Sequence, residues 1–434
     1  MNIVQITPGA GGMYCGGCFR DNALVHALRH LGHEVLMVPL YLPLTLDEPD
    51  ESRGTPTFFG GINVYLEQIL PWFRKTPAWL HRLLDSPVLL KFAAKLGAKT
   101  RAEELGEITL SMVRGEDGNQ ARELEELIAW LKLRERPDVI CLSNALLLGM
   151  ARRLHRELGA PVVCLLSGED TFLDALPPLH RDLTWDTLAN RAAEVPAFIA
   201  PSRYFAALME RRLRLPPGRV RVIANGISLE GFQPADAPPD PPALGFFARM
   251  CREKGLDLLV EAYILIRQRG RVNNLRLRIG GGLGPSDQSF VQELRRRLDA
   301  LGFGADIELH PNLDRAGKLA FLRSLTVFST PALYGEAFGL YVIEALAAGV
   351  PVVQPRTAAF PELIEATGGG LISEPSAPAL AEAIEQLLLD PARARALGDA
   401  GRGAVSEHFS SDRMARNFAG VFAEVATSNP TPLH

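Results

Sequence analysis

Short apolar segments alternate with amphipathic helical ones twice along this chain of 434 residues, once before and once after a proline-rich break. Before the break, segments 2–7, 34–39, 138–142, 161–166, 197–200 and 219–224 carry strand character. Helical periodicity covers 20–31, where Leu24, Ala27, Leu28 and Leu31 share a face, then 145–158 and 202–213. After the break, strands are expected at 243–247, 275–279, 307–310, 327–329 and 352–354. Helices are expected at 255–267, 289–301, 316–324, 377–389, 391–409 and 411–425. Apolar strands separated by helices require a parallel sheet covered on both faces, so the fold class is α/β, doubly wound. The break, Gln233-Pro234-Ala235-Asp236-Ala237-Pro238-Pro239-Asp240-Pro241-Pro242, is neither helix nor central strand and reads as a stiff linker. Two Rossmann-like domains are therefore expected, 1–232 and 243–410, with 411–434 as a terminal helix. A chain this long also exceeds what one core ordinarily serves.

Composition narrows the class of partner. Lys and Arg number 46 against 50 Asp and Glu, a net charge of -4, so no basic excess drives nucleic-acid binding. An apolar fraction of 47% with 22% charged residues describes a soluble globular chain. The N-terminus starts as a strand and lacks the cationic and apolar regions of a signal peptide. No apolar stretch approaches the roughly 20 residues of a spanning helix. Five cysteines are sparse and odd in number, unlike a secreted disulfide framework. A cytoplasmic protein is expected.

Residues 41–120 break the alternation, and a plain loop of that length is implausible in a compact domain. An insertion with its own helices is expected. It holds Phe58-Phe59-Gly60-Gly61-Ile62-Asn63-Val64-Tyr65-Leu66 and then an aromatic and basic stretch over 72–99. Trp72, Phe73, Trp79, Leu80, Leu83 and Leu84, with Arg74, Lys75, Arg82 and Lys91, form one of two things. Either they pack on the core as a helical subdomain, or 58–99 makes a peripheral contact with the inner membrane face.

The segment 335–351, GEAFGLYVIEALAAGVP, carries the chemistry. Glu336 lies in a glycine-bearing loop, and Glu344 lies inside a short apolar helix closed by Gly349, a natural C′ residue. The helix N-terminus near Phe338, Gly339 and Leu340 offers unpaired amides and a positive dipole end, which favour a phosphate. Glu344, about one and a half turns further in, reaches a hydroxylated group beside that phosphate, while Glu336 meets hydroxyls on the other side. A diphosphate flanked by two hydroxyl-rich rings is a nucleotide-sugar.

This arrangement closely resembles the donor site of retaining GT-B glycosyltransferases, in particular family four (glycosyl transferases group 1). The resemblance covers both domains, is strongest over 243–374 and is weakest over 41–120. It implies a cleft between facing carboxyl ends of two sheets, a terminal helix crossing back to the first domain, and an insertion on the acceptor side. Arg249 and Lys254, at the carboxyl end of a strand, are placed to neutralise a diphosphate leaving group. Their spacing is similar to the family's Arg and Lys, and Gly255 matches its Lys-Gly helix start; Arg252 is an extra cation. The loop Pro8-Gly9-Ala10-Gly11-Gly12-Met13-Tyr14-Cys15-Gly16-Gly17-Cys18 fits neither a dinucleotide fingerprint nor a Walker loop. It resembles the family's glycine-rich loop, with Gly11 and Gly12 approaching the donor phosphates. Asn225-Gly226-Ile227-Ser228 resembles the family's Asn-Gly-Val-Asp, with Asn225 near the nucleotide, and Gly281 lies where the base-binding loop is expected.

Many relatives carry a His where this chain has Ser167. Glu169 or Asp170 then accepts the acceptor hydroxyl proton, or both simply cap the following helix. Cys15 and Cys18 form a C-x-x-C pair, read as small buried thiols rather than a metal or redox site. No D-x-D triplet implies a catalytic metal, and no cofactor is expected beyond a UDP- or GDP-sugar donor. The implied activity is retaining, metal-independent transfer of a sugar to a glycan, lipid or small-molecule hydroxyl, with domain closure excluding water. The alternatives are an epimerase or phosphorylase on the same fold, or a degenerate sugar-binding protein.

Overall fold

The computed structural model describes residues 1–9, 15–70, 76 and 102–428. The chain divides into two compact units, Met1–Ala224 with Met414–His434, and Asn225–Arg413. In the first unit six strands lie in the order β2-β1-β3-β4-β5-β6. They are β1 Asn2–Pro8, β2 Glu34–Leu40, β3 Val139–Leu142, β4 Val162–Leu165, β5 Ala197–Ala200 and β6 Val220–Val222. Every pairing is parallel. β3, β4 and β5 are buried at each position, as strands covered on both faces must be. One face of the sheet packs Leu24, Val25 and Leu28 of helix Gly16–His30 and Met414, Phe418 and Phe422 of helix Ser411–Thr427.

The second unit repeats the plan in the order β12-β11-β10-β7-β8-β9. Its strands are β7 Ala243–Phe247, β8 Arg276–Gly281, β9 Ile307–Pro311, β10 Val327–Phe328, β11 Val352–Pro355 and β12 Gly370–Ser373. Its core joins Leu244 and Phe246 of β7 to Leu259 and Tyr263 of helix Leu256–Arg269 and to Ile384 and Leu387 of helix Ala377–Leu389. Each sheet begins in its interior, runs outward to one edge, and resumes on the other side of its first strand. Loops therefore diverge between β1 and β3, and again between β7 and β10, at the carboxyl ends where doubly wound sheets meet ligands.

Several elements depart from the periodicity. Helix Gly16–His30 starts four residues before the expected position, with Cys15 as its extended N-cap residue. The glycines of its first turn are tolerated because packing of the following turns, not propensity, holds the helix. The segment expected as one helix over 145–158 is a 3₁₀ turn, Ala145–Met150, followed by helix Ala151–Leu158. A Cβ on Gly149 would lie 2.3 Å from the Met112 carbonyl oxygen, so close approach of helix Ala102–Arg114 shapes this turn. Helices Pro178–Ala192 and Phe360–Thr367, each with a proline near its start, lie outside the expected elements. Each proline sits in the first turn, where no amide is needed.

Of the insertion, helices Gly61–Ile69 and Ala102–Arg114 are described. Phe59 is buried, and Phe58 packs on Trp130 with ring centres 5.1 Å apart. Backbone bonds from Phe58 to Pro39 and from Tyr41 to Phe58 tie this stretch to the end of β2. Both rings are thus taken up by the first unit. Trp72, Phe73, Arg74, Lys75, Trp79, Leu80, Arg82, Leu83, Leu84 and Lys91 lie outside the described residues. Among the described residues, no helix is long and apolar enough to cross a membrane.

Candidate active site

At the β7–β10 divergence the local backbone decides where the charges go. β7 ends at Phe247, and the chain makes a 3₁₀ turn, Arg252–Lys254, before Gly255 opens the next helix at φ +74. A Cβ on Gly255 would lie 2.1 Å from the Pro331 carbonyl oxygen. The missing side chain lets the turn seat against the chain leaving β10. Lys254 and Glu336 are thereby brought together, Nζ to Oε2 at 2.6 Å.

Glu336 is the centre of a small polar cluster. Its Oε2 accepts from the Tyr341 hydroxyl at 2.8 Å and from the Tyr334 hydroxyl at 3.3 Å. The Lys254 ammonium also lies over both rings, 5.1 Å from Tyr334 and 5.4 Å from Tyr341. Burial alone would raise the Glu336 carboxyl. The charge and hydrogen bond of Lys254, with the two phenols, outweigh it and hold the carboxyl below its ordinary range. Burial opposes the charged form of Lys254 as well, but Glu336 and Tyr334 keep the ammonium above its usual value. Burial and the neighbouring carboxylate push both phenols up, so they stay donors.

Helix Leu340–Ala347 begins just beyond this cluster. Gly339, at φ +93, is its N-cap residue, and no side chain caps it. At the other end Val350 donates to Ala345 and Gly349 to Leu346, at 3.0 and 2.9 Å, a Schellman closure around Gly349 at φ +73. Phe338 is buried against Phe409, with ring centres 6.1 Å apart. Glu344 points to Lys318, whose Nζ lies 2.8 Å from its Oε1. Arg249 is held by Asp287 through two bonds, Nε to Oδ2 at 2.8 Å and Nη2 to Oδ1 at 3.1 Å. The side chain of Arg249 remains half exposed, whereas that of Asp287 is largely buried. Arg252 is engaged elsewhere, paired with Asp257 at 2.8 Å and stacked over Phe290.

Gly281, at φ +118, lies where a Cβ would meet the Ala248 carbonyl oxygen at 2.0 Å. The glycine run after β8 thus lets its loop close onto the end of β7, with Met250 donating to Gly282 at 2.8 Å. Asn225 is buried and begins the segment whose Ile227 bonds to Phe409 and Ser411.

In the first unit, Glu169 and Asp170 open the short helix Glu169–Asp174. Both Glu169 oxygens accept backbone amides, Ala145 and Ser167, each at 2.7 Å, so this carboxylate ties the β3 and β4 loops together. Asp170 is buried, its Oδ1 has no hydrogen-bond partner, and burial raises its carboxyl. Gly11 and Gly12 lie outside the described residues.

Sequence reasoning missed Tyr334, Tyr341, Asp287 and Lys318. Tyr341 sits five residues past Glu336 in the quoted segment, and its polar tip was the available signal. Nothing in the spacing of Lys318 or Asp287 points to Glu344 or Arg249, because those pairs join distant segments.

Residues 230–404 match the family model of Glycosyl transferases group 1, and residues 108–230 match that of Glycosyltransferase Family 4. D-inositol 3-phosphate glycosyltransferase 1 of Catenulispora acidiphila is 29% identical over 256 residues, covering 56% of this chain and 56% of that protein. The chain thus spans little more than half the length of that relative. Sucrose-phosphate synthase from Thermosynechococcus elongatus matches over 98% of both chains with a TM-score of 0.72 at 20% identity. Anabaena HepE in complex with UDP-glucose matches over 98% of this chain and 100% of its own, with a TM-score of 0.66 at 16% identity. At such identities the structural likeness is one of fold, two Rossmann-like parallel-sheet domains. Two adjoining family matches, together spanning residues 108–404, and this fold support a group 1 glycosyltransferase of GT-B architecture.

Proposed function

We propose that this protein is a retaining, metal-independent glycosyltransferase that moves a sugar from a nucleoside-diphosphate donor to a hydroxyl acceptor. The observation that carries the reading is the Lys254–Glu336 pair beside an uncapped helix N-terminus, at the carboxyl ends of β7 and β10. In this reading Lys254, Arg249 and the amides around Phe338, Gly339 and Leu340 receive the donor pyrophosphate. Negative charge grows on the leaving oxygen as the glycosidic bond breaks, and fixed cations and amide dipoles stabilise it more in the transition state than before. Glu336, fixed by Lys254 and Tyr341, orients sugar hydroxyls. Glu344, fixed by Lys318, holds the ribose. Attack from the face the phosphate leaves gives retention.

Of the two first-unit carboxylates, Asp170 is the better candidate to take the acceptor proton, since both oxygens of Glu169 are already occupied. Gly11, Gly12, Asn225 and Gly281 are assigned to the donor by the family pattern. The solved complex of Anabaena HepE with UDP-glucose supports a nucleotide-sugar donor, and the inositol-phosphate relative makes a phosphorylated polyol a reasonable first acceptor to try.

The test is a screen of UDP- and GDP-sugars for nucleoside diphosphate release with acceptor present, followed by NMR of the product's anomeric centre. Release dependent on acceptor, with the donor's anomeric configuration kept, supports the reading. An inverted product, or no release with any donor that raises the melting temperature, overturns it.

A further inference from the structure

We propose that Cys15 and Cys18 are a redox-active dithiol, which closes into an intramolecular disulfide by exchange with a low-molecular-weight disulfide. The site lies in the first unit and does not depend on the donor chemistry above. Cys15 is the N-cap residue of helix Gly16–His30, in extended conformation, and Phe19 donates to its carbonyl at 3.1 Å to close the first turn. Cys18 is therefore one turn further on, and residues three apart on a helix are neighbours. Cys15 is partly exposed, Cys18 is buried, and neither is in a disulfide. The Cys18 thiol also reaches the Pro8 carbonyl at 3.3 Å, which anchors the second sulfur at the end of β1. An accessible thiol at a helix N-terminus with a second thiol behind it is the geometry of an attacking and a resolving cysteine.

The electrostatics separate this pair from the other three cysteines. A hydrogen bond from the Cys18 thiol, joined by the Cys18 and Gly17 amides, holds the Cys15 thiol down at about 6, against burial and the nearby Asp21. Burial instead pushes Cys141 and Cys164, inside β3 and β4, well above the usual thiol range, and lifts Cys251 to about 11. Only the thiolate is nucleophilic, so attack is directed to Cys15.

The exchange balances in two steps. The Cys15 thiolate attacks one sulfur of the small disulfide, forming a mixed disulfide and expelling one thiolate. Cys18 then loses its proton and attacks the Cys15 sulfur, closing the internal bond and expelling the second thiol. Two electrons leave the protein and reduce the oxidant to two thiols.

Both cysteines fall in one tryptic peptide, residues 1–20, because Arg20 is the first basic residue of the chain. The reduced full-length protein is treated with hydroxyethyl disulfide near neutral pH, quenched with an alkylating agent and digested. The expected result is a peptide 1–20 lighter than its reduced form by about 2 Da, with no adduct, restored by dithiothreitol. In Cys18→Ser the same treatment should leave a stable adduct on Cys15. A wild-type peptide that stays unmodified, or that retains an adduct on Cys15, overturns the proposal.

Discussion

Lys254 and Glu336, separated by 82 positions, meet at 2.6 Å where the chain leaves β7 and β10. Two backbone features make the meeting possible: the left-handed Gly255 and its close approach to Pro331. Both side chains are mostly buried, at 22% and 14% exposure. Removing one partner of such a pair leaves the other charge without its counterion, which costs about 3–5 kcal/mol. Lys254→Ala and Glu336→Ala should each lower transfer by about a hundredfold or more. The double variant should recover much of the lost stability but none of the rate. Chemical denaturation with initial rates reads both; near-normal turnover in either folded single variant would remove these residues from the mechanism.

Tyr341→Phe probes the same carboxylate more gently. It keeps the ring packed near Phe328 and Phe360 and deletes only the 2.8 Å hydrogen bond to Glu336. A carboxyl held below its ordinary range contributes stability that is present above its unfolded value and lost as pH falls through the folded one. Lys254 is shifted upward, so its contribution is complete below the unfolded lysine value, about 10.4, and is lost only at still higher pH. Losing the Tyr341 donor should raise the Glu336 carboxyl and move the acid limb of stability to higher pH. Melting temperatures across the acid range, compared with wild type, decide it. An unmoved acid limb would show that Tyr341 does not tune Glu336.

Asp287 neutralises the cation proposed to meet the diphosphate. Asp287→Asn keeps the shape but removes the charge that holds Arg249 at 2.8 and 3.1 Å. Charge-assisted forks are roughly twice as strong as neutral hydrogen bonds, so Arg249 becomes easier to recruit. Nucleoside diphosphate should bind this variant several-fold more tightly, with a steeper salt dependence. Calorimetry at two ionic strengths checks it. Weaker binding would mean that Asp287 positions Arg249 rather than competing for it.

Much of the architecture is legible in the sequence, because buried parallel strands are runs of apolar residues that need no partner information. β7 and helix Ala377–Leu389 have the bounds that periodicity alone suggests. The acidic residues of the candidate site were legible for a different reason: Glu336 and Glu344 flank a helix start within one short segment. What that segment omits is who holds them. Lys318 reaches Glu344 from another helix, and Asp287 reaches Arg249 from the loop after β8. Such pairs are set by tertiary packing and leave no local periodicity. Proline adds a local ambiguity of its own, since the same residue both begins and ends helices.

If lysine, arginine and helix amides together offset the leaving diphosphate, an added divalent ion is not needed for that charge. Exhaustive chelation should then change the initial rate by less than about twofold, and magnesium or manganese should not restore a lost activity. A rate that collapses on chelation and returns with metal would refute the electrostatic assignment.

Gly255→Ala isolates the backbone that assembles the pair, with Gly270→Ala as its control. Gly255 and Gly270 flank the same helix and both are left-handed, at φ +74 and +64. An alanine at either position carries the strain of that conformation, about 1–2 kcal/mol. At Gly270 nothing lies within 4 Å of the added Cβ, so the cost should end there. At Gly255 the Cβ would lie 2.1 Å from the Pro331 oxygen, and the turn carrying Lys254 must shift away from β10. Gly255→Ala should therefore lose clearly more stability than its control, and should lower turnover as well by separating Lys254 from Glu336. Equal melting temperatures and equal rates for the two variants would mean that the close approach at Pro331 does not hold the pair in place.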